Sequence, residues 1–163
     1  YGLVGSEMCI RDRCMEVMLK HGIIPVVNEN DTVSVTELMF TDNDELSGLV
    51  ATMMGVDVLV ILSNVDGVYD GDPALPSSTL LREIAPDARL DTDSIVQTSR
   101  SSLGRGGMIT KFRMAQKVAS EGISVIIANG KREHVLTGIL LERNEVPCTR
   151  FLVGAHSVGG SRK

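Results

Sequence analysis

Three stretches of this chain carry residues whose types and spacing could do chemistry on a charged small molecule. The first is Ser101-Ser102-Leu103-Gly104-Arg105-Gly106-Gly107-Met108-Ile109-Thr110-Lys111, a glycine-rich run that passes straight into a helical pattern. Glycines let backbone N–H groups come close to a phosphoryl oxygen, a helix start adds its positive end, and Lys111, one turn in, can reach the same oxygen. Arg105 adds a second cation. The run matches neither GxxxxGK[ST] nor GxGxxG, so as a generic motif it reads either as a phosphate cradle or as a flexible connection. The second stretch is Asn28 to Asp44, NENDTVSVTELMFTDND, where Asp31, Asn43 and Asp44 stand among further carboxylates and carboxamides. It can face a ligand, or it can be a solvated, capped connection, because Asp and Asn are also ordinary cap and turn residues. The third, Ser63-Asn64-Val65-Asp66-Gly67-Val68-Tyr69-Asp70-Gly71-Asp72-Pro73, could read a nucleotide's base and ribose or could simply turn the chain.

The elements around these loops explain why they would converge. Ile23, Ile24, Val26 and Val27 form a short apolar run of the kind a buried parallel strand shows. Leu46, Leu49, Val50 and Met53 then recur at helical spacing, with Asp42 and Glu45 placed as a capping box, so Asn43 and Asp44 lie near a helix N-terminus. Val56 to Leu62 is a second apolar run that empties into the Ser63 loop. Met108, Phe112, Ala115 and Ala119 continue a helix from the glycine loop to Gly122, and ISVIIA from Ile123 to Ala128 is a third buried strand. A helix over Glu133 to Glu142 would turn Val135, Leu136, Ile139 and Leu140 inward. Residues 74 to 100 read as a short strand within an irregular excursion. Strand and helix alternate, which predicts an α/β fold: an αβα sandwich with a mainly parallel sheet. In such sheets ligands bind outside the carboxyl ends of the strands.

Bulk properties narrow the function. The 163 residues suit one domain, and 16 Lys and Arg against 21 Asp and Glu give a net charge of -5, which offers no basic field for nucleic acid. No apolar run approaches the roughly 20 residues that cross a bilayer, and the start lacks the order of a signal peptide, so a cytoplasmic protein is expected. Cys9, Cys14 and Cys148 form no CxxC pair and read as free thiols rather than a disulfide or zinc set. No metal site is expected from the side chains. His21 reads as a cation near a helix end and His156 as a solvated tail residue. Residues 1–13, YGLVGSEMCIRDR, follow neither period and read as a non-native leader, and 154–163 as a loose tail.

With these segments in view, IPVVNENDTV, TDNDELSGLVA, VLVILSNVDGVYDGDP, GRGGMITK and VIIANG, in that order, resemble the glutamate 5-kinases of the amino-acid kinase family. The likeness runs from about Met15 to Phe151, so that 14–153 would be the C-terminal portion of an amino-acid kinase domain whose opening strand and glycine loop are not in this chain. The resemblance implies transfer of a phosphoryl group from ATP, with Mg2+, to the side-chain carboxylate of L-glutamate. It implies that Asp31 and Asn43 hold glutamate, that Asp44 orients lysines, and that Ser63, Asn64 and the segment Arg105, Gly106, Gly107, Met108, Ile109, Thr110 and Lys111 bind ATP. Ser63 and Asn64 stand where the family usually has Thr-Asp, Arg105 where it has Thr, and Thr41 where Gly is common. The resemblance also implies a homo-oligomer. Two other readings remain beside it: the kinase domain of a bifunctional pyrroline-carboxylate synthase, and a non-catalytic nucleotide-binding or assembly module.

Overall fold

Residue pattern and backbone agree best in the strand that everything else packs on. In the computed structural model, which describes residues 13–28, 43–86, 88, 107–141 and 146–154, the run Ser124–Asn129 forms a central strand, here β3. Its side chains alternate between two cores: Val125 and Ile127 face one, Ile126 and Ala128 the other. Burying each of the Val and Ile side chains contributes about 1.5–3 kcal/mol. Strand β1, Val58–Ser63, lies parallel to it from Val58 beside Ser124 to Ser63 beside Asn129. On the other side β4, Cys148–Phe151, is antiparallel, with Val125 opposite Phe151, and β2, Glu83–Ile84, runs parallel to β4. The order β1-β3-β4-β2 gives a mixed, mostly parallel sheet.

Helix α1 covers residues 13–20 and ends at Gly22, whose φ of 71° lets the Ile23 N–H return to the Met18 carbonyl. Helices α2, Asn43–Met54, and α3, Met108–Ser120, pack together over one face of the sheet. Phe112, Met114, Ala115, Val118 and Ala119 of α3 supply five of the buried residues of that core, and the Phe112 ring lies 5.5 Å from that of Phe151. Helix α4, Val135–Leu140, covers the opposite face through Val135 and Ile139, completing the αβα layering.

Four expectations are corrected. Ile23 to Val27 is not a buried strand: it pairs with no strand among the described residues, and Ile24 and Val26 are 83% and 94% exposed. An apolar run becomes a buried strand only where a ladder partner and covering helices exist for it. Val58 and Leu62 are exposed because β1 has a hydrogen-bonded neighbour on one side only among the described residues. On α2 the buried residues are Gly48 and Ala51 while Leu49 is exposed, since the helices cross too closely for a leucine there: a Cβ on Gly48 would stand 2.9 Å from Met114 Sδ. On α4 the inward positions are Val135, Gly138 and Ile139, with Leu136 and Leu140 outside. Strand β4 had no expectation at all. The Asp42 cap of α2 lies outside the described residues.

Candidate functional site

Connectivity places the site. Helix α2 turns through Gly55, at φ 58°, directly into β1, and α3 turns through Gly122, at φ 95°, directly into β3. Each helix therefore runs back along its strand and begins at that strand's carboxyl end. Because β1 and β3 are parallel, the starts of α2 and α3 meet at the edge where Ser63-Asn64 and Asn129-Gly130 leave the sheet.

At that edge the Lys111 ammonium donates to the Asp44 carboxylate at 2.5 Å, and each side chain is only 16% exposed. The pair links the first turns of two helices whose positions in sequence are 67 residues apart. Asn43, one residue before Asp44, donates its side-chain amide to the Asn28 side-chain carbonyl at 2.9 Å, closing the two ends of the acidic loop. Gly107 caps α3 in an extended conformation, φ -68° and ψ 167°, with no side-chain cap. The Thr110 and Lys111 N–H groups turn back to the Gly107 carbonyl at 3.0 and 3.3 Å, while those of Met108 and Ile109 precede the first intrahelical bond. A helix start of this kind, with a lysine in its first turn, presents donors and positive charge to an anion.

Ser63 and Asn64 end β1 and touch through their side chains at 3.4 Å. The next carboxylate, Asp66, accepts Arg132 Nε at 2.6 Å and Nη2 at 2.7 Å, and the Asn129 side-chain amide at 3.2 Å. The bond from Arg132 holds the Asp66 carboxyl below the ordinary aspartate range, outweighing the burial that pushes it up, with Asn129 adding to the lowering. Burial, then the Asp66 charge, raises the Tyr69 phenol.

Of the residues expected at the site, the structure thus gathers Asn43, Asp44, Gly107, Met108, Ile109, Thr110 and Lys111 at one pair of helix starts, with Ser63 and Asn64 on the same edge of the sheet. Asp31, Arg105 and Gly106 lie outside the described residues. Asp66, Asn129 and Arg132 were not singled out; the carboxylate sits in an ordinary-looking turn and its partner 66 positions away follows another strand, so no local spacing marks them. Among the described residues no group of three His, Cys, Asp or Glu could hold a metal ion, and no helix is long and apolar enough to cross a membrane. Cys14 and Cys148 are free thiols.

Comparison with known proteins follows the same lines. Residues 3–129 match the amino acid kinase family. The chain is 54% identical over 150 residues to the glutamate 5-kinase of Bacteroides thetaiotaomicron, covering 92% of this chain and 41% of that protein. It is 42% identical over 152 residues to the glutamate 5-kinase of Chlorobaculum tepidum, covering 85% of this chain and 41% of that protein. It therefore spans well under half the length of these relatives. Among solved structures, an isopentenyl phosphate kinase superposes with a TM-score of 0.62 at 25% identity, over 85% of this chain and 49% of that one. The UMP kinase of Ureaplasma parvum superposes with a TM-score of 0.56 at 16% identity, over 86% and 52%, a likeness of fold alone. With two helix starts joined at the carboxyl ends of parallel strands and a match across most of its length, the chain belongs to the amino acid kinase family.

Proposed function

We propose that the chain is the nucleotide-side part of a glutamate 5-kinase, which transfers the γ-phosphoryl group of ATP to the side-chain carboxylate of L-glutamate and so forms γ-glutamyl phosphate, the first step of proline synthesis. The single observation that carries the reading is the Lys111 to Asp44 contact, which sets a cation at the start of α3 and a carboxylate at the start of α2 against each other. In the reaction a glutamate carboxylate oxygen forms the new O–P bond, the bond from the γ-phosphorus to the bridging oxygen breaks, and ADP leaves with the electron pair. No proton has to move. The protein's task is to align the two anions and neutralise their charge.

In this reading Lys111 binds the phosphoryl oxygens beside the N–H groups of Met108 and Ile109, and Asp44 holds the lysine in place. Asp31 and Asn43 hold glutamate, the acid matching its ammonium. Ser63, Asn64 and the segment from Arg105 to Lys111 line the nucleotide. Magnesium arriving with ATP would supply charge neutralisation, offsetting the repulsion that the surrounding carboxylates exert on a triphosphate. The residues fit an ion that arrives on its substrate, because Mg2+ keeps several waters and needs no all-protein cage. The enzyme would act in the cytoplasm as a homo-oligomer, and the 163-residue chain alone would turn over little, since it spans 41% of the kinase relatives. Loss of one transition-state cation costs roughly 10³-fold or more in phosphoryl transfer.

Coupled ADP release by the full-length parent protein, with glutamate, aspartate, acetylglutamate and a nucleoside monophosphate as acceptors, tests the substrate. Glutamate alone should support release; activity with aspartate and none with glutamate would overturn the assignment.

A further inference from the structure

The loop that leaves β1 is pinned at three points. The Ser63 carbonyl accepts the Gly130 N–H at 2.9 Å, Asp66 takes the fork of Arg132 and the amide of Asn129, and the Val68 N–H donates to the Thr149 hydroxyl at 2.8 Å. The partner turn is equally fixed: the Asn129 side-chain carbonyl accepts the Lys131 N–H at 3.0 Å, and the Arg132 N–H donates to the Asn129 carbonyl at 3.2 Å. Ser63 forms the first pin, and Asn64 stands between it and the second. The first two pins join the turn after β1 to the turn after β3, at the carboxyl ends of neighbouring parallel strands, and the third ties the loop to β4.

We propose that Asp66 is a positioning residue for the nucleotide: its bidentate bond to Arg132, backed by Asn129, holds the Ser63-Asn64 rim in its binding arrangement. The inference rests on the reading of that rim as part of an ATP site. It assigns two side chains a role they would not otherwise have. Asp66 gives both of its carboxylate oxygens to protein donors, Oδ1 to Arg132 and Asn129 and Oδ2 to Arg132. Arg132 spends one edge of its guanidinium on Asp66 and acts through it, not on phosphate. A bidentate fork suits such a role because it fixes an angle as well as a distance, which a lysine cannot do.

The experiment is a titration of adenosine, ADP and ATP with magnesium into the 163-residue chain, its Asp66→Asn and Arg132→Lys variants and the double variant, at a temperature where thermal melts show all to be folded. The three ligands should weaken by the same factor in either single variant, on the order of tenfold, the scale of one lost coupling inside a hydrogen-bonded network. The double variant should weaken little further. Variants that melt earlier but bind all three ligands as the parent does would reduce the pair to a fold support and overturn the proposal. A loss for ATP and ADP with none for adenosine in Arg132→Lys would make Arg132 a phosphate ligand and overturn it as well. Failure of the unaltered chain to bind any of the three would instead remove the nucleotide site itself, and the proposal with it. If Asp66→Asn does not fold, Arg132→Lys, which keeps the cation and loses the fork, decides alone.

Discussion

Replacing Thr149 by valine should unfold the chain far more readily than its nearly unchanged volume suggests. The side chain is fully buried, and its hydroxyl accepts the Val68 N–H at 2.8 Å while donating to the Leu81 carbonyl at 2.7 Å. Valine puts a methyl group where that oxygen stood, leaving a buried donor and a buried acceptor without partners. Each costs about 1–3 kcal/mol, so the pair costs about 4 kcal/mol in sum. For a chain of 163 residues that is roughly 12 °C in melting temperature. Thr149→Ser keeps the hydroxyl and deletes one methyl, for about 1 kcal/mol. Urea unfolding followed by circular dichroism measures both, and the midpoint should fall in the order parent, serine, valine with an unchanged slope. A valine variant as stable as the serine variant would refute the claim that this hydroxyl joins the loop after β1 to β4.

Other outcomes follow from the same packing. A Cβ on Gly138 would collide with Val146 Cγ2, so Gly138→Ala should destabilise despite the roughly 1 kcal/mol that alanine gains in a helix, and adding Val146→Ala should recover part of the loss in a melt. The Asp66 carboxyl is held below its ordinary value of 3.8, so its contribution to stability is present above about pH 4 and is lost as pH falls through the lowered value. Asp66→Asn should therefore flatten the acid limb of melting temperature against pH; an unchanged limb would mean that the Arg132 bond does not persist in solution.

How far the residues alone revealed this arrangement depends on how local each signal was. The runs that became β1 and β3 and the helix periods of α2 and α3 are local and strong, and the alternation of strand and helix was enough to bring Asp44 and Lys111 to one edge. Strand β4 went unseen because it is four residues long, follows Pro147 and carries Arg150, and it owes its burial to β3 and β2 on either side. The inward faces of α2 and α4 misled because close crossings select glycine over leucine, a preference that hydrophobic periodicity ranks the wrong way round. Asp66 and Arg132 form a bond between two turns, and only the parallel register of β1 and β3 puts those turns side by side.

The most direct test of a phosphate site at the start of α3 is a calorimetric titration of ATP with magnesium into the 163-residue chain and into Lys111→Ala. The alanine variant should bind about tenfold more weakly or worse, the scale of one charge-assisted hydrogen bond, while retaining the fold. Equal affinity in the two proteins would contradict the account, because it would leave the Lys111 to Asp44 contact as a tie between two helices with no part in holding the nucleotide.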